Sequence, residues 1–288
     1  MTFTASLRSE FLKSKRTSVF YLMLVAAFVI PFVLVFDYGA PDPGNPANGW
    51  DNYYREGFMV FAFLFLPFFY ILASTLQMQI EVRNNAWKQV LASPQSFFHI
   101  LLAKYMVIHG LALVFLIIFN AFMAMGCALI DLIHGINFLE YLNRWPELLK
   151  LNLLAYGASA GISALSFWLA LRFRNFIAPI AIGILLWLIG PTAALELKLP
   201  HFDKYVFVLP FTIVAKKFEE TRHFYQLLSL GYAVLFFGIA YLEFVVQRIQ
   251  LSVFWRKEIK VLSGKISDHE GRHQKTSGPP AATRHSTT

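Results

Sequence analysis

Six stretches of about 20 apolar residues divide this chain, and almost every charge lies between them. They run near Val19–Phe36, Phe58–Leu76, Tyr105–Leu129, Leu151–Leu171, Phe176–Leu195 and Phe224–Val246. A helix of that length crosses the ~30 Å hydrocarbon layer. Backbone in lipid must satisfy its own hydrogen bonds, so the runs predict helices. Transmembrane β-strands are shorter and alternate in polarity, and these runs do neither. With only 15% charged residues over 288 positions, a soluble domain is excluded. The expected fold class is all-α: a polytopic integral membrane protein with six transmembrane helices, an N-terminal amphipathic helix and a cytoplasmic helix between spans two and three. The third run sits in a longer apolar stretch, so tilt or extension beyond the bilayer is expected. The first run is too long for a signal-peptide core and lacks a small-x-small cleavage site, so it reads as a retained span. The single cysteine, Cys127, lies in the third run and leaves no internal disulfide.

Basic residues mark one side of the expected map. Arg8, Lys13, Lys15 and Arg16 precede span one, Arg83, Lys88 and Lys104 lie between spans two and three, and Arg172 and Arg174 lie between spans four and five. The opposite side carries Asp37, Asp42, Asp51, Glu56, Asp131, Glu140 and Glu147. The positive-inside rule places both termini in the cytoplasm of a multi-pass protein of the cell membrane. The net charge of +8 then reflects topology and anionic lipid headgroups, and no nucleic-acid partner is expected.

The expected division is a cytoplasmic amphipathic helix at 1–17, a six-helix transmembrane domain at 18–262, and a disordered cytoplasmic tail at 263–288. In the first segment Phe3, Leu7 and Phe11 recur every four residues, with basic residues around them, which suits a helix lying on the membrane surface. The segment 196–223 is too apolar for a solvated loop and is broken by Pro200 and Pro210, so it reads as a re-entrant or surface-lying element. In span two, Pro67 removes a backbone donor midway and weakens the helix there.

Between spans two and three lies a polar island, QMQIEVRNNAWKQVLASP, at 77–94. As a helix it puts Ile80, Trp87, Val90 and Leu91 on one side and Glu81, Asn84, Asn85 and Lys88 on the other. Such a stripe either lies in the lipid interface or docks in a groove on a partner protein.

Other chemistry finds little support. No G-x-x-x-x-G-K-[ST] loop occurs, so any ATP is expected on another chain, and no cofactor is expected here. No H-E-x-x-H occurs, and His201 and His223 stand alone, so no metal site is expected. Gly157-Ala158-Ser159-Ala160-Gly161 matches a nucleophile elbow, but it lies inside an apolar helix. Gly157 and Gly161 there suit close helix packing. His109, Asn120 and Glu243 are polar groups within or near spans, fit for interhelical hydrogen bonds or snorkelling. No catalytic residue is assigned.

The motif Glu81-x-Arg83-x-x-x-Trp87-Lys88-x-x-Leu91-x-x-Pro94, followed by Lys104, resembles that of the ABC-2 type permeases. These are membrane subunits of type V, ABCG-like exporters. The resemblance covers roughly residues 1–262; Asn85 stands where that family often has glycine. Size and the lack of an ATPase make the chain similar to lantibiotic-immunity and bacitracin-type permeases. The resemblance implies a translocation path formed with a second permease subunit, in a homo- or heterodimer. It also implies a separate ABC ATPase subunit coupled through Glu81, Arg83, Trp87, Lys88, Leu91 and Pro94, and no enzymatic activity in this chain. A non-transporting membrane scaffold or sensor that docks a cytoplasmic partner is the alternative; a neighbouring gene for an ATPase separates the two.

Overall fold

Apolar helices packed side by side make up the described part of the chain. The computed structural model describes residues 3–14, 18–37, 46–83, 96–135, 145–173, 175–193, 197, 199–215 and 219–246. The helices are α1 (Phe3–Ser14), α2 (Val19–Asp37), α3 (Pro46–Val60), α4 (Leu66–Arg83), α5 (Phe97–His134), α6 (Trp145–Ala158), α7 (Ala160–Arg172), α8 (Ile177–Pro191), α9 (Leu209–Val214) and α10 (Arg222–Val246). Among the described residues there is no strand. By contacts the chain divides into Met1–Leu242 and Glu243–Thr288. The described part of the second unit is one helical turn, Glu243–Val246.

Among the described residues, five helical stretches are long and apolar enough to cross a membrane: Val19–Phe36, Tyr53–Arg83, Phe98–His134, Trp145–Arg172 and Arg222–Val246. The fifth expected span, Phe176–Leu195, folds as α8, in which the apolar helix Ile177–Gly190 is shorter than the others. Its 15 residues reach about 22 Å at 1.5 Å per residue, short of the hydrocarbon thickness. In contrast, the 38 residues of α5 reach about 57 Å, so α5 extends beyond any bilayer it crosses. Gly135 ends it in the left-handed conformation, φ 66°, donating its N–H to the Asp131 carbonyl, a position glycine takes without steric cost.

Span two is two helices joined by a π segment, Phe61–Phe65. The Leu66 N–H bonds to the Phe61 carbonyl, five residues back. The next residue, Pro67, has no N–H, so it leaves the Phe63 carbonyl without the helical donor it would otherwise have. Trp187 of α8 fills the place: its Nε1–H donates to Phe63 O at 2.8 Å. Phe63 and Phe68 also meet the Trp187 ring edge-on. The proline thus explains why the short helix α8 packs against α4 at that point.

The core is aromatic. Phe58, Phe61 and Phe69 from span two interlock with Phe115 and Phe119 of α5, with the Phe61 and Phe119 rings stacked at 4.0 Å. The span formed by α6 and α7 is the most buried, and it packs on α4. By contrast α2 buries one stripe, Val19, Met23, Ala27 and Ile30, against α5 and exposes Tyr21, Leu24, Val25, Phe32, Val33 and Phe36, as a helix at a lipid boundary does. The element after α8 is buried as well. Val206, Phe207, Val208, Leu209, Ile213 and Val214 are each at most 4% exposed, and α9 packs on α6.

Gly161 sits where helices come closest. A Cβ there would lie 2.9 Å from both Tyr232 Cβ and Val206 Cγ2 and 3.3 Å from the Ser229 carbonyl oxygen. Gly157 is roomier, with Gln226 Nε2 at 3.6 Å from the same built atom. The two glycines of the motif therefore face different constraints.

Candidate functional site

Three elements meet at the end of the bundle where α4 stops and α5 begins. Glu81, two residues before the end of α4, has its side chain 2% exposed. Lys104, two turns into α5, is 1% exposed. Lys104 Nζ donates to Glu81 Oε1 at 2.6 Å and to Glu10 Oε2 of α1 at 2.7 Å. Lys13, half-buried, donates to Glu10 Oε1 at 2.6 Å and to Glu81 Oε1 at 3.4 Å. The four side chains close a ring of alternating charge with no net charge. Gln77 Nε2 adds a bond to Glu10 Oε2 at 3.4 Å. Among the described residues, Glu81 Oε2 and Gln77 Oε1 have no hydrogen-bond partner.

This ring decides which face of α1 is buried. The periodicity of Phe3, Leu7 and Phe11 predicts an apolar stripe lying on the membrane surface. Ser6, Glu10 and Ser14 are the residues buried against protein, while Phe11 and Leu12 are 43% and 53% exposed. A helix facing water could not do this at low cost. A helix beside lipid can turn its polar stripe toward protein, provided each buried charge finds its opposite. Lys104 supplies that opposite, and Phe3 meets His99 edge-on at 6.0 Å to hold the same contact. Sequence reasoning missed Glu10. The available signal was that it is the sole acidic residue before Asp37, in an otherwise basic segment.

The charges tune one another. Burial pushes Glu10 up, but the charge and hydrogen bond of Lys104, joined by those of Lys13, outweigh it and hold the carboxyl below its ordinary 4.5. Burial pushes Lys13 down, but the bond and charge of Glu10 and those of Glu81 raise it above its ordinary 10.5. A depressed carboxyl stabilises the fold above its unfolded pKa and loses that contribution as pH falls through its folded value. A raised lysine loses its contribution only as pH rises through its folded value. Thermal stability in detergent should therefore hold between these limits and fall on acidification below about 4.5. Glu10→Gln should flatten that acid limb; an unchanged limb in the variant would assign the acid sensitivity elsewhere.

Of the residues expected to dock a partner, Glu81 and Arg83 are described. Glu81 is turned inward into the ring rather than out toward a rim, because Lys104 and Lys13 offer it partners inside the chain. Arg83 is exposed at the last position of α4. Trp87, Lys88, Leu91 and Pro94 lie outside the described residues, as does the tail at 263–288.

A second polar feature lies deeper, along the seam between α5 and α6–α7. Tyr54 O–H donates to Asn120 Oδ1 at 2.9 Å, Asn120 Nδ2 to Asn152 Oδ1 at 2.7 Å, and Asn152 Nδ2 to Tyr54 Oη at 3.0 Å. Each amide also donates to the carbonyl one turn back in its own helix. Further along, His109 joins two hydroxyls, Tyr156 through Nδ1 at 3.1 Å and Ser163 through Nε2 at 2.9 Å. Tyr105 reaches the same Ser163 at 2.8 Å. Ser159, in the turn between α6 and α7, lies 3.1 Å from the Tyr70 hydroxyl. No strand-to-helix turn surrounds it, so it has none of the setting of a nucleophile elbow. These bonds join spans in lipid, where polar partners are hard to replace.

Among the described residues, no three His, Cys, Asp or Glu side chains converge to hold a metal ion. A cleft of about 280 Å³ between α2 and α5 is lined by apolar side chains, including Phe28, Phe32, Phe36 and Phe122. The arrangement thus offers an ionic joint at one end, a hydrogen-bonded seam within the bundle and an apolar cleft.

Comparison with known proteins gives one match. The family model of the ABC-2 family transporter proteins matches residues 6–190, which include most of α1, the joint and the seam. No curated protein and no solved structure matches. The match covers more than half of the chain, from the N-terminal helix through the short helix α8, and the chain belongs to the ABC-2 family of transporter proteins, as a multi-pass membrane component of transport.

Proposed function

We propose that the chain is the permease subunit of an ATP-driven exporter and couples to a separate ATPase subunit through the segment between α4 and α5. The observation that carries this reading is the ionic joint. Glu81, within the amphipathic stretch 77–94, and Lys104, after it, are bonded to each other, so the end of α4 and the start of α5 are tied together. A partner pushing on such a segment moves α4 and α5 together. Two permeases pair around the path, and ATP-driven closure of two ATPase subunits shifts the pair between inward- and outward-open states. The cargo is apolar or amphiphilic, which the aromatic composition of span two and the apolar cleft support.

Both termini lie in the cytoplasm, on the distribution of Lys and Arg. That orientation requires α8 to complete a crossing despite its length, which local thinning of the bilayer allows. A reporter active only outside the cytoplasm, fused to the C-terminus, should stay silent.

The coupling itself is tested at Trp87. Buried aromatic anchors dominate docking interfaces and cost about 2 kcal/mol or more on truncation, while rim charges cost far less. Trp87→Ala should release the co-purifying ATPase or uncouple its turnover from transport, with the permease still in the membrane. Lys88→Ala should do much less. A Trp87→Ala complex that stays whole and transports normally would leave the segment as a surface helix and favour the scaffold reading.

A further inference from the structure

We propose that Glu10 is a positioning residue for coupling: through Lys104 it makes the N-terminal helix part of the base that sets the spacing between the end of α4 and the start of α5. This rests on the coupling role of the segment between those helices. Glu10 lies 94 residues from Lys104 and 67 from Gln77 in sequence, yet its Oε2 is within hydrogen-bond reach of both. Its Oε1 takes Lys13. Lys104 has three N–H donors and spends two on the carboxylates of α1 and α4. Without Glu10, Lys104 keeps Glu81 alone, and α1 loses the contact that justifies burying its polar stripe. The α4–α5 pair then keeps a bond between its members but loses the third element that braces it. Glu10 touches neither nucleotide nor cargo in this account; it acts through Lys104.

The test reads the braced geometry directly. Spin labels at Arg83→Cys and Ser96→Cys, both exposed positions, report the distance between the two helix ends in a Cys127→Ala background. The full chain is used, in vesicles of phosphatidylethanolamine and phosphatidylglycerol. The parent should give one narrow distance, Glu10→Gln a broad distribution, and Glu10→Asp, which keeps the charge, a distribution close to the parent's. Should Glu10→Gln fail to fold, Glu10→Gln combined with Lys104→Gln, which leaves Lys13 and Glu81 as one opposite pair, takes its place with the same broad distribution expected. In parallel, Glu10→Gln should retain the ATPase that co-purifies with the parent chain but lose about fivefold or more of its permease-stimulated turnover. An unchanged distance distribution in both Glu10 variants overturns the proposal, even if Trp87→Ala releases the ATPase. A broadened distribution with Trp87→Ala inert sinks the coupling reading and leaves Glu10 a brace without that role. Broadening equal in Glu10→Asp and Glu10→Gln also overturns the proposal, since loss of shape rather than charge would then be the cause.

Discussion

Lys104→Met is expected to cost about 3–5 kcal/mol of folding stability, the largest effect of any single substitution in the ionic joint. Methionine fills nearly the same volume, so packing changes little. The loss comes from Glu10 and Glu81, left as buried carboxylates around a place where a cation stood. Only Lys13 remains to face them, and it is half-exposed. The chain must then protonate a carboxyl, hydrate the site or open the joint. Measured in detergent at neutral pH, the variant should melt well below the parent and give little monodisperse protein. Adding Glu10→Gln, Glu81→Gln and Lys13→Gln to Lys104→Met should restore most of the stability, because a joint with no charge strands none. Parent-like melting of Lys104→Met alone would mean that water already solvates the ring, and the whole account of the joint would fall.

Gly161→Leu is expected to be nearly as damaging, for a steric reason. The Gly161 N–H donates to Ser229 Oγ at 3.1 Å, and that hydroxyl donates to the Ala158 carbonyl at 2.7 Å. The hydroxyl of α10 thus clips into the break between α6 and α7. Any side chain at Gly161 meets Tyr232, Val206 and the Ser229 backbone, and backbone cannot rotate away. Overpacking of this kind costs typically 1–3 kcal/mol, and more where helices must part. Even Gly161→Ala should lower the melting temperature. Gly157→Ala should stay within about 0.5 kcal/mol of the parent, since its nearest neighbour is the far end of a glutamine at ordinary contact distance. Parallel melts of the two alanine variants check the contrast, and the reverse ranking would refute the placement of α10 against α7.

The helical membrane architecture was legible because lipid leaves so few options: an apolar run of sufficient length must be a helix. Span two was legible in outline, and Pro67 was visible as a weak point, but the π segment and the tryptophan that caps Phe63 depend on a distant helix. Span five reads in composition as long as the others; among the described residues its α-helix is Ile177–Pro191, with Thr192 still helical after it. Glu81 and Lys104 stood out in the motif, yet their bond is a tertiary fact. Glu10 was hidden by a different effect. Periodicity reports that a helix has two faces, not which of them meets protein. In water the apolar face goes inward by default; beside a bilayer that default is lost, and α1 takes the other choice.

The π segment of span two carries a consequence for reading the helix by its angles. A π turn holds about one residue more than an α turn, and one residue is about 100° of rotation. On an uninterrupted wheel Tyr54 and Phe58 before the segment therefore stand out of phase with Tyr70 and Gln77 after it, though all four are buried. A single helical wheel drawn through Tyr53–Arg83 assigns one half of the span to the wrong face. Deleting one residue from Phe61–Phe65 would make the wheel continuous. It would also swing Tyr54 away from Asn120 and Asn152, so the extra residue acts as a phase shifter that keeps both halves of the span aimed at α5.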